Sequence, residues 1–157
     1  VEDIIHETAR LHSTVVIAQG MSYAKDEADR PIHREHRGNV HIGPGAYVGP
    51  YTVIHRARIW GKSTIIDARA QIGSLNNIGH NAYIGRNTII TQGVMICGSC
   101  KIGSNCYIAP GVVVNQHITI IDGCFVGSGS VVTKDITKPG VYYGSPARWQ
   151  REWDGKW

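Results

Sequence analysis

The stretch IGHNAYIGRNTIITQGVMICGSCKI, residues 78–102, places an isoleucine at every sixth position: Ile78, Ile84, Ile90, Ile96 and Ile102. Extending that step in both directions, from position 42 to position 132, gives sixteen positions, of which fifteen are Ile or Val. Ile and Val number 35 among 157 residues, so chance would supply fewer than four. The exception is Trp60. Four residues after each aliphatic position, twelve of sixteen are small: Ala46, Thr52, Thr64, Ala70, Ala82, Thr88, Val94, Cys100, Cys106, Val112, Cys124 and Ser130. One residue after it, glycine occurs eight times, at 43, 49, 61, 73, 79, 85, 103 and 127, as suits a backbone that must turn. A period of six walks around a 3.6-residue turn, so an α-helix with one apolar stripe is excluded. Six residues make one short strand and one corner. Three such hexads make a triangular coil of 18 residues, and stacked coils make an all-β parallel β-helix with a narrow aliphatic interior. Residues 18 apart are then expected to sit one above the other.

The register divides the chain into four parts, expected to form a single domain. Ile5, Leu11 and Ile17, with Ala9 and Val15 at small positions, form a first coil over residues 1–19 in a different phase. Residues 20–39, GMSYAKDEADRPIHREHRGN, are polar and aperiodic and read as an extended loop thrown out between coils. Continuous hexad coils occupy 40–137, with a local bulge expected where Arg58 falls on a small position and Trp60 on an aliphatic one. From 138 to 157, Pro139, Gly140 and Pro146 interrupt the repeat, and the segment from Ala147 to Trp153 reads as a short helix or a strap capping the last coil.

Composition narrows the function classes. The formal charge is +4 and the isoelectric point about 9.0, but Lys and Arg never form a block, which favours a small anionic ligand or acidic partner over nucleic acid. No apolar run reaches the roughly 18 residues of a membrane span, and the start VEDIIHETAR carries no signal pattern, so a soluble cytoplasmic protein is expected. Cys100, Cys106 and Cys124 fall on small inward positions and read, with Cys97, as free structural thiols; Cys106 and Cys124, one coil apart, are expected to stay reduced. His6, His12, His41 and His55 read as solvated corner residues. His33 and His36 have a spacing that could touch a metal, but no third ligand is evident, and no metal site is assigned.

His80 differs in context. Adding 18 reaches Gly98, so a backbone N–H with no side chain in the way is expected over the imidazole. A base beside an unobstructed N–H is what acyl transfer requires: the imidazole takes a proton from the attacking group, and the N–H steadies the oxyanion. A surface turn histidine is the plain alternative.

The stretches IGHNAYIG, ICGSCKIGSNCYI, NQHITI and ITKPGVYYGSPARWQREW together resemble the UDP-3-O-acylglucosamine N-acyltransferases of lipid A biosynthesis, among the hexapeptide-repeat acyltransferases. The resemblance spans residues 66–153 without a gap. It departs at Gly73 and Ser74, where that family has Asp-Asn, and residues 1–40 hold nothing large enough for the family's uridine-binding domain. The resemblance implies a left-handed coil and a homotrimer with sites between subunits. It also implies His80 as catalytic base and Gly98 as oxyanion donor, with His117 where the phosphopantetheine arm of the donor passes. On that footing Asn81 orders the turn, and His117 with Lys101 or Arg148 meets donor phosphates. No permanently bound cofactor is implied; acyl carrier protein or coenzyme A serves as co-substrate, and a sugar or sugar nucleotide as acceptor. Two other classes share the coil: a trimeric binding scaffold without catalysis, and a γ-type carbonic anhydrase with zinc on three histidines.

Overall fold

The computed structural model describes residues 2–156, with residues 21–23 by backbone alone. The described residues form three parallel sheets that are the faces of a triangular prism. The first face carries strands Ile4–Ile5, Asn39–Ile42, Ser63–Ile66, Tyr83–Ile84, Lys101–Ile102 and Thr119–Ile120. The second face begins at Arg10–Leu11 and Tyr47–Val48, and the third at Val16–Ala18 and Val53–His55. No helix among the described residues is long and apolar enough to cross a membrane.

The sixfold pattern is the packing pattern. The fifteen Ile and Val of the repeat and all twelve small residues point inward and are buried. Trp60, the one aromatic in the aliphatic column, lies outside and is 63% exposed. Each buried isoleucine fills a cross-section no other side chain can reach, so its removal leaves a cavity. Ile96→Ala is therefore expected to cost about 2–5 kcal/mol, read as a shift of the urea midpoint at unchanged slope. A loss below about 1 kcal/mol would show that the interior is loosely filled.

The corners turn at a different position from the one the glycines suggested. The residue three after most of the aliphatic ones holds the left-handed conformation, whether glycine or not: Asn81 (φ 59°), Asn87 (φ 56°), Asn105 (φ 55°) and His117 (φ 63°) share it with Gly93 and Gly111, while Ala57 and Asp135 do not. Of the eight glycines one residue after the aliphatic position, only Gly61 has a positive φ. The others are small because coils approach closely there; a Cβ on Gly73 would sit 2.4 Å from the Thr91 carbonyl oxygen.

The stacking interval also departs from the expected 18. From Ile66 upward it holds: Ile66 lies beside Ile84, and Ile84 beside Ile102. Below that, Ile42 pairs with Ile66, Val48 with Ile72 and Ile54 with Ile78, an interval of 24. The expected bulge is a whole extra hexad, ejected from the coil between the strands Val53–His55 and Ser63–Ile66. Because six residues were added, the phase of the repeat is unchanged. The first coil is offset by 37, as Ile5 pairs with Ile42 and Ile17 with Ile54.

The segment expected as an extended loop is an antiparallel hairpin, Met21–Lys25 against Pro31–Glu35. Its tip is tied by Asp26, which accepts from the Ala28 and Arg30 backbone N–H groups. Of the two readings of the C-terminal cap the strap holds, as a strand pair: Gly140–Gly144 extends the second face parallel to Cys124–Val126, and Ala147–Arg151 returns antiparallel beside it. A hairpin satisfies the open strand edge directly, which a helix would not.

Candidate functional site

All the excess chain emerges at one prism edge, where the third face passes into the first. The hairpin lies between Val16–Ala18 and Asn39–Ile42, and the ejected hexad between Val53–His55 and Ser63–Ile66. The next corners on that edge hold His80, then Gly98, then Gln116 and His117. The two insertions are joined by backbone hydrogen bonds: Arg37 N–H to Arg58 O (3.2 Å), Gly38 N–H to Ala57 O (2.8 Å) and Asn39 N–H to Lys62 O (3.0 Å).

His80 is held from two sides. Its carbonyl accepts from the Ser99 N–H at 2.7 Å, which fixes it to the coil above. Its Nδ1 lies 3.0 Å from Asn81 Oδ1. That oxygen already accepts the Arg58 backbone N–H at 3.1 Å, so it is the oxygen end of the amide and Nδ1 is the donor. Nε2 of the neutral ring is consequently unprotonated. Asn81 is itself anchored, its N–H donating to Thr64 Oγ1 at 2.8 Å, while the Thr64 hydroxyl donates to the His55 carbonyl at 2.7 Å.

Gly98 is where the 18-residue interval predicts it. A Cβ there would lie 2.4 Å from His80 Nε2 and 2.5 Å from Cε1, so only a glycine leaves room for the ring. The Gly98 N–H makes no hydrogen bond among the described residues, while its carbonyl accepts from the His117 N–H at 3.0 Å. His117 is thus on the same edge one coil further, exposed. Lys101 is exposed on the first-face strand that leaves the Gly98 corner, in register with Tyr83. Arg148 is not brought to this edge: it sits on the returning cap strand of the second face, the face opposite that corner.

Two histidines that the sequence did not place at this edge belong to the site: His55, read as a solvated corner, and His36, weighed only as half of a metal spacing. His36, just past the hairpin, is 2% exposed, and its ring meets His80 edge-on with centroids 4.9 Å apart. Neither of its ring nitrogens makes a hydrogen bond of full geometry, though the Arg56 backbone approaches the ring closely enough to raise its pKa against the effect of burial. Gly20 permits this burial, since a Cβ there would lie 2.4 Å from His36 Nδ1. His55 is half-buried beneath Gly79 in the 24-residue register, not solvated. The signal for His55 was available: Trp60 in an aliphatic column and Arg58 in a small one mark a hexad to be skipped. For His36 the sequence holds no signal, because the hairpin has no repeat to place it. Among the described residues no group of three His, Cys, Asp or Glu is placed to hold a metal. The four cysteines are free thiols, and burial pushes the Cys100 thiol up to about 11.

Burial holds the three imidazoles below the usual histidine value. For His36 and His55 the charge of His80 adds to it; for His80 the bond to Asn81 opposes it, and Arg58 and His117 assist it. The unfolded chain, titrating near the ordinary 6.5, then binds protons that the folded chain refuses. Stability from these groups is full above that pH and is lost as pH falls through the depressed folded values. We expect the melting temperature to decline between about pH 6.5 and 5, above the range where most carboxylates titrate. A flat melting temperature over that interval would contradict the burial of these rings.

The comparisons agree with the architecture. Residues 99–134 match the family model for bacterial transferase hexapeptide, six repeats. No curated protein matches the chain. Among solved structures, a UDP-N-acetylglucosamine acyltransferase is similar at 16% identity and a TM-score of 0.71, over 92% of this chain and 70% of that one. A Bacillus cereus protein described as a candidate acetyltransferase is similar at 19% identity and a TM-score of 0.53, over 92% and 77%. This likeness shows the fold, a left-handed parallel β-helix.

Proposed function

We propose that this protein is an acyltransferase that moves an acyl group from a phosphopantetheine thioester, on acyl carrier protein or coenzyme A, to an amine or hydroxyl of a sugar or sugar nucleotide. The observation that carries the reading is His80 with Nδ1 committed to Asn81 and Nε2 unprotonated, against a glycine whose N–H is unpaired. In the reaction the acceptor nitrogen or oxygen attacks the thioester carbonyl while His80 Nε2 takes its proton. The oxyanion of the tetrahedral intermediate lies on the Gly98 N–H. The intermediate collapses, the carbon–sulfur bond breaks, and the His80 proton passes to the departing thiolate. Asn81 stabilises the imidazolium between the two transfers, as the acceptor of its other proton. His117 and Lys101, further along the edge, are offered to the donor arm, and Arg148 reaches a site only if another subunit of a homotrimer presents it.

The matched hexapeptide segment and the structural likeness to a UDP-N-acetylglucosamine acyltransferase support this reading. It is tested by thiol release from acetyl coenzyme A and from acyl carrier protein loaded with short and long chains, each with amino-sugar nucleotides as acceptors. Acceptor-dependent release is expected with at least one pair. Folded protein that releases thiol with none of them, and shows no melting shift with either donor, would overturn it.

A further inference from the structure

The hairpin and the ejected hexad line two adjoining open clefts on the His80 edge. One, of about 560 Å³, is lined by His33, Arg34, Glu35, Arg37, Arg58 and Ile59. The other, of about 410 Å³, shares Glu35 and Arg37 with it and adds His36, Arg56 and Trp60. Of the four arginines only Arg56 is paired with an acid, Asp3. Arg34, Arg37 and Arg58 enter none of the ion pairs among the described residues. Three arginines and one glutamate leave the lining of the first cleft with a net charge of about +2.

We infer that the hairpin and the extra hexad together form a binding site for a pyrophosphate group, on Arg34, Arg37 and Arg58. The charge matches: a pyrophosphate diester carries about −2, whereas a single carboxylate would leave the site positive. The geometry of guanidinium suits it, since each fork donates two parallel hydrogen bonds to phosphate oxygens. Two independent observations point to a ligand here. His36 lines the second cleft almost fully buried, its ring nitrogens without a hydrogen bond of full geometry beyond an approach to the Arg56 backbone, an arrangement that a polar ligand group or its water would complete. Trp60, highly exposed and next to Ile59, supplies a flat apolar surface for a ring attached to the pyrophosphate. The site is coupled to the reacting edge through Arg58, whose backbone N–H holds the amide that orients His80. Only the destination of the ligand, next to His80, rests on the acyl-transfer reading; the anion site stands on its own residues.

Calorimetry at low salt with inorganic pyrophosphate as probe, and acetate as a monoanion control, tests it. Wild-type protein is expected to bind pyrophosphate and not acetate. Arg34→Gln with Arg58→Gln should weaken binding about 100-fold, roughly tenfold for each charged contact, and Arg34→Lys with Arg58→Lys should fall between, keeping charge without the fork. Thermal melts show whether the variants are folded, and the Lys pair covers the case in which the Gln pair is not. Two further arms separate the sources of the group: arginine-dependent binding of coenzyme A assigns the site to the donor, and of uridine diphosphate to the acceptor. Unchanged pyrophosphate affinity in a folded Gln variant, or no pyrophosphate binding by the wild type, overturns the inference. Acyl transfer without pyrophosphate binding would sink this site alone, and pyrophosphate binding without acyl transfer would sink only the reaction.

Discussion

His80→Ala is expected to lower kcat for acyl transfer by about 10²–10⁴-fold with little change in KM. The imidazole has one task in the proposed mechanism, carrying a proton from acceptor to leaving thiolate, and no neighbouring group can assume it. His36 and His55 are the nearest bases, but His36 is buried under the ring and His55 lies in the coil below. The effect belongs to the chemical step because His80 makes its decisive contact in the transition state. Its carbonyl bond to Ser99 belongs to the backbone and survives the substitution, so the fold should be kept. The companion change, Asn81→Ala, leaves the base in place but frees its tautomer. It is expected to lower kcat by less, and to shift the acidic limb of the pH–rate profile, since the bond to Asn81 raises the His80 value. Steady-state kinetics from pH 5 to 8 reads both. Full activity of folded His80→Ala on a confirmed substrate pair would end the general-base assignment.

Gly98→Ala is expected to be nearly as damaging, for a steric reason. The added methyl carbon would lie 2.4 Å from Nε2 and 2.9 Å from Cδ2 of His80, distances at which one group has to move. The glycine Cα belongs to a coil held by backbone bonds above and below, whereas the ring turns about two side-chain bonds. The imidazole therefore yields, losing its bond to Asn81 and its place beside the Gly98 N–H. A misplacement of about 1 Å suffices for a hundredfold loss of rate. The coil itself, which has Ala68, Ser74 and Arg86 at equivalent corner positions, should melt within a few degrees of the wild type. A variant of Gly98→Ala that retained both rate and the His80–Asn81 contact would show that the ring does not depend on that space.

What was legible from the sequence had a common physical character. The buried columns are a local, repeated demand, one branched and one small side chain per hexad, and each hexad states it again. Fifteen aliphatic residues in register outweigh any single exception, so the interior and the approach of Gly98 to His80 could be read directly, whereas the glycine column marked close coil approach and not the turning residue. The cap was legible as an end of the repeat, but its strand pairing was not. Pro139 and Pro146 signal interruption, whereas the unpaired edge of Cys124–Val126 is what selects a hairpin.

The amino-acid sequence by itself determined that this chain coils in sixes and which side chains fill the coil, because burial in a narrow prism is decided residue by residue. Only the tertiary structure decided how many hexads make each turn. An inserted hexad leaves the phase untouched while changing the stacking interval from 18 to 24, and a hairpin with no repeat has no phase at all. Those two insertions set His36 and His55 around His80 and gather Arg34, Arg37 and Arg58 on its edge. Contacts of that kind depend on where separate coils are laid over one another, a sum over the whole chain that no single hexad records.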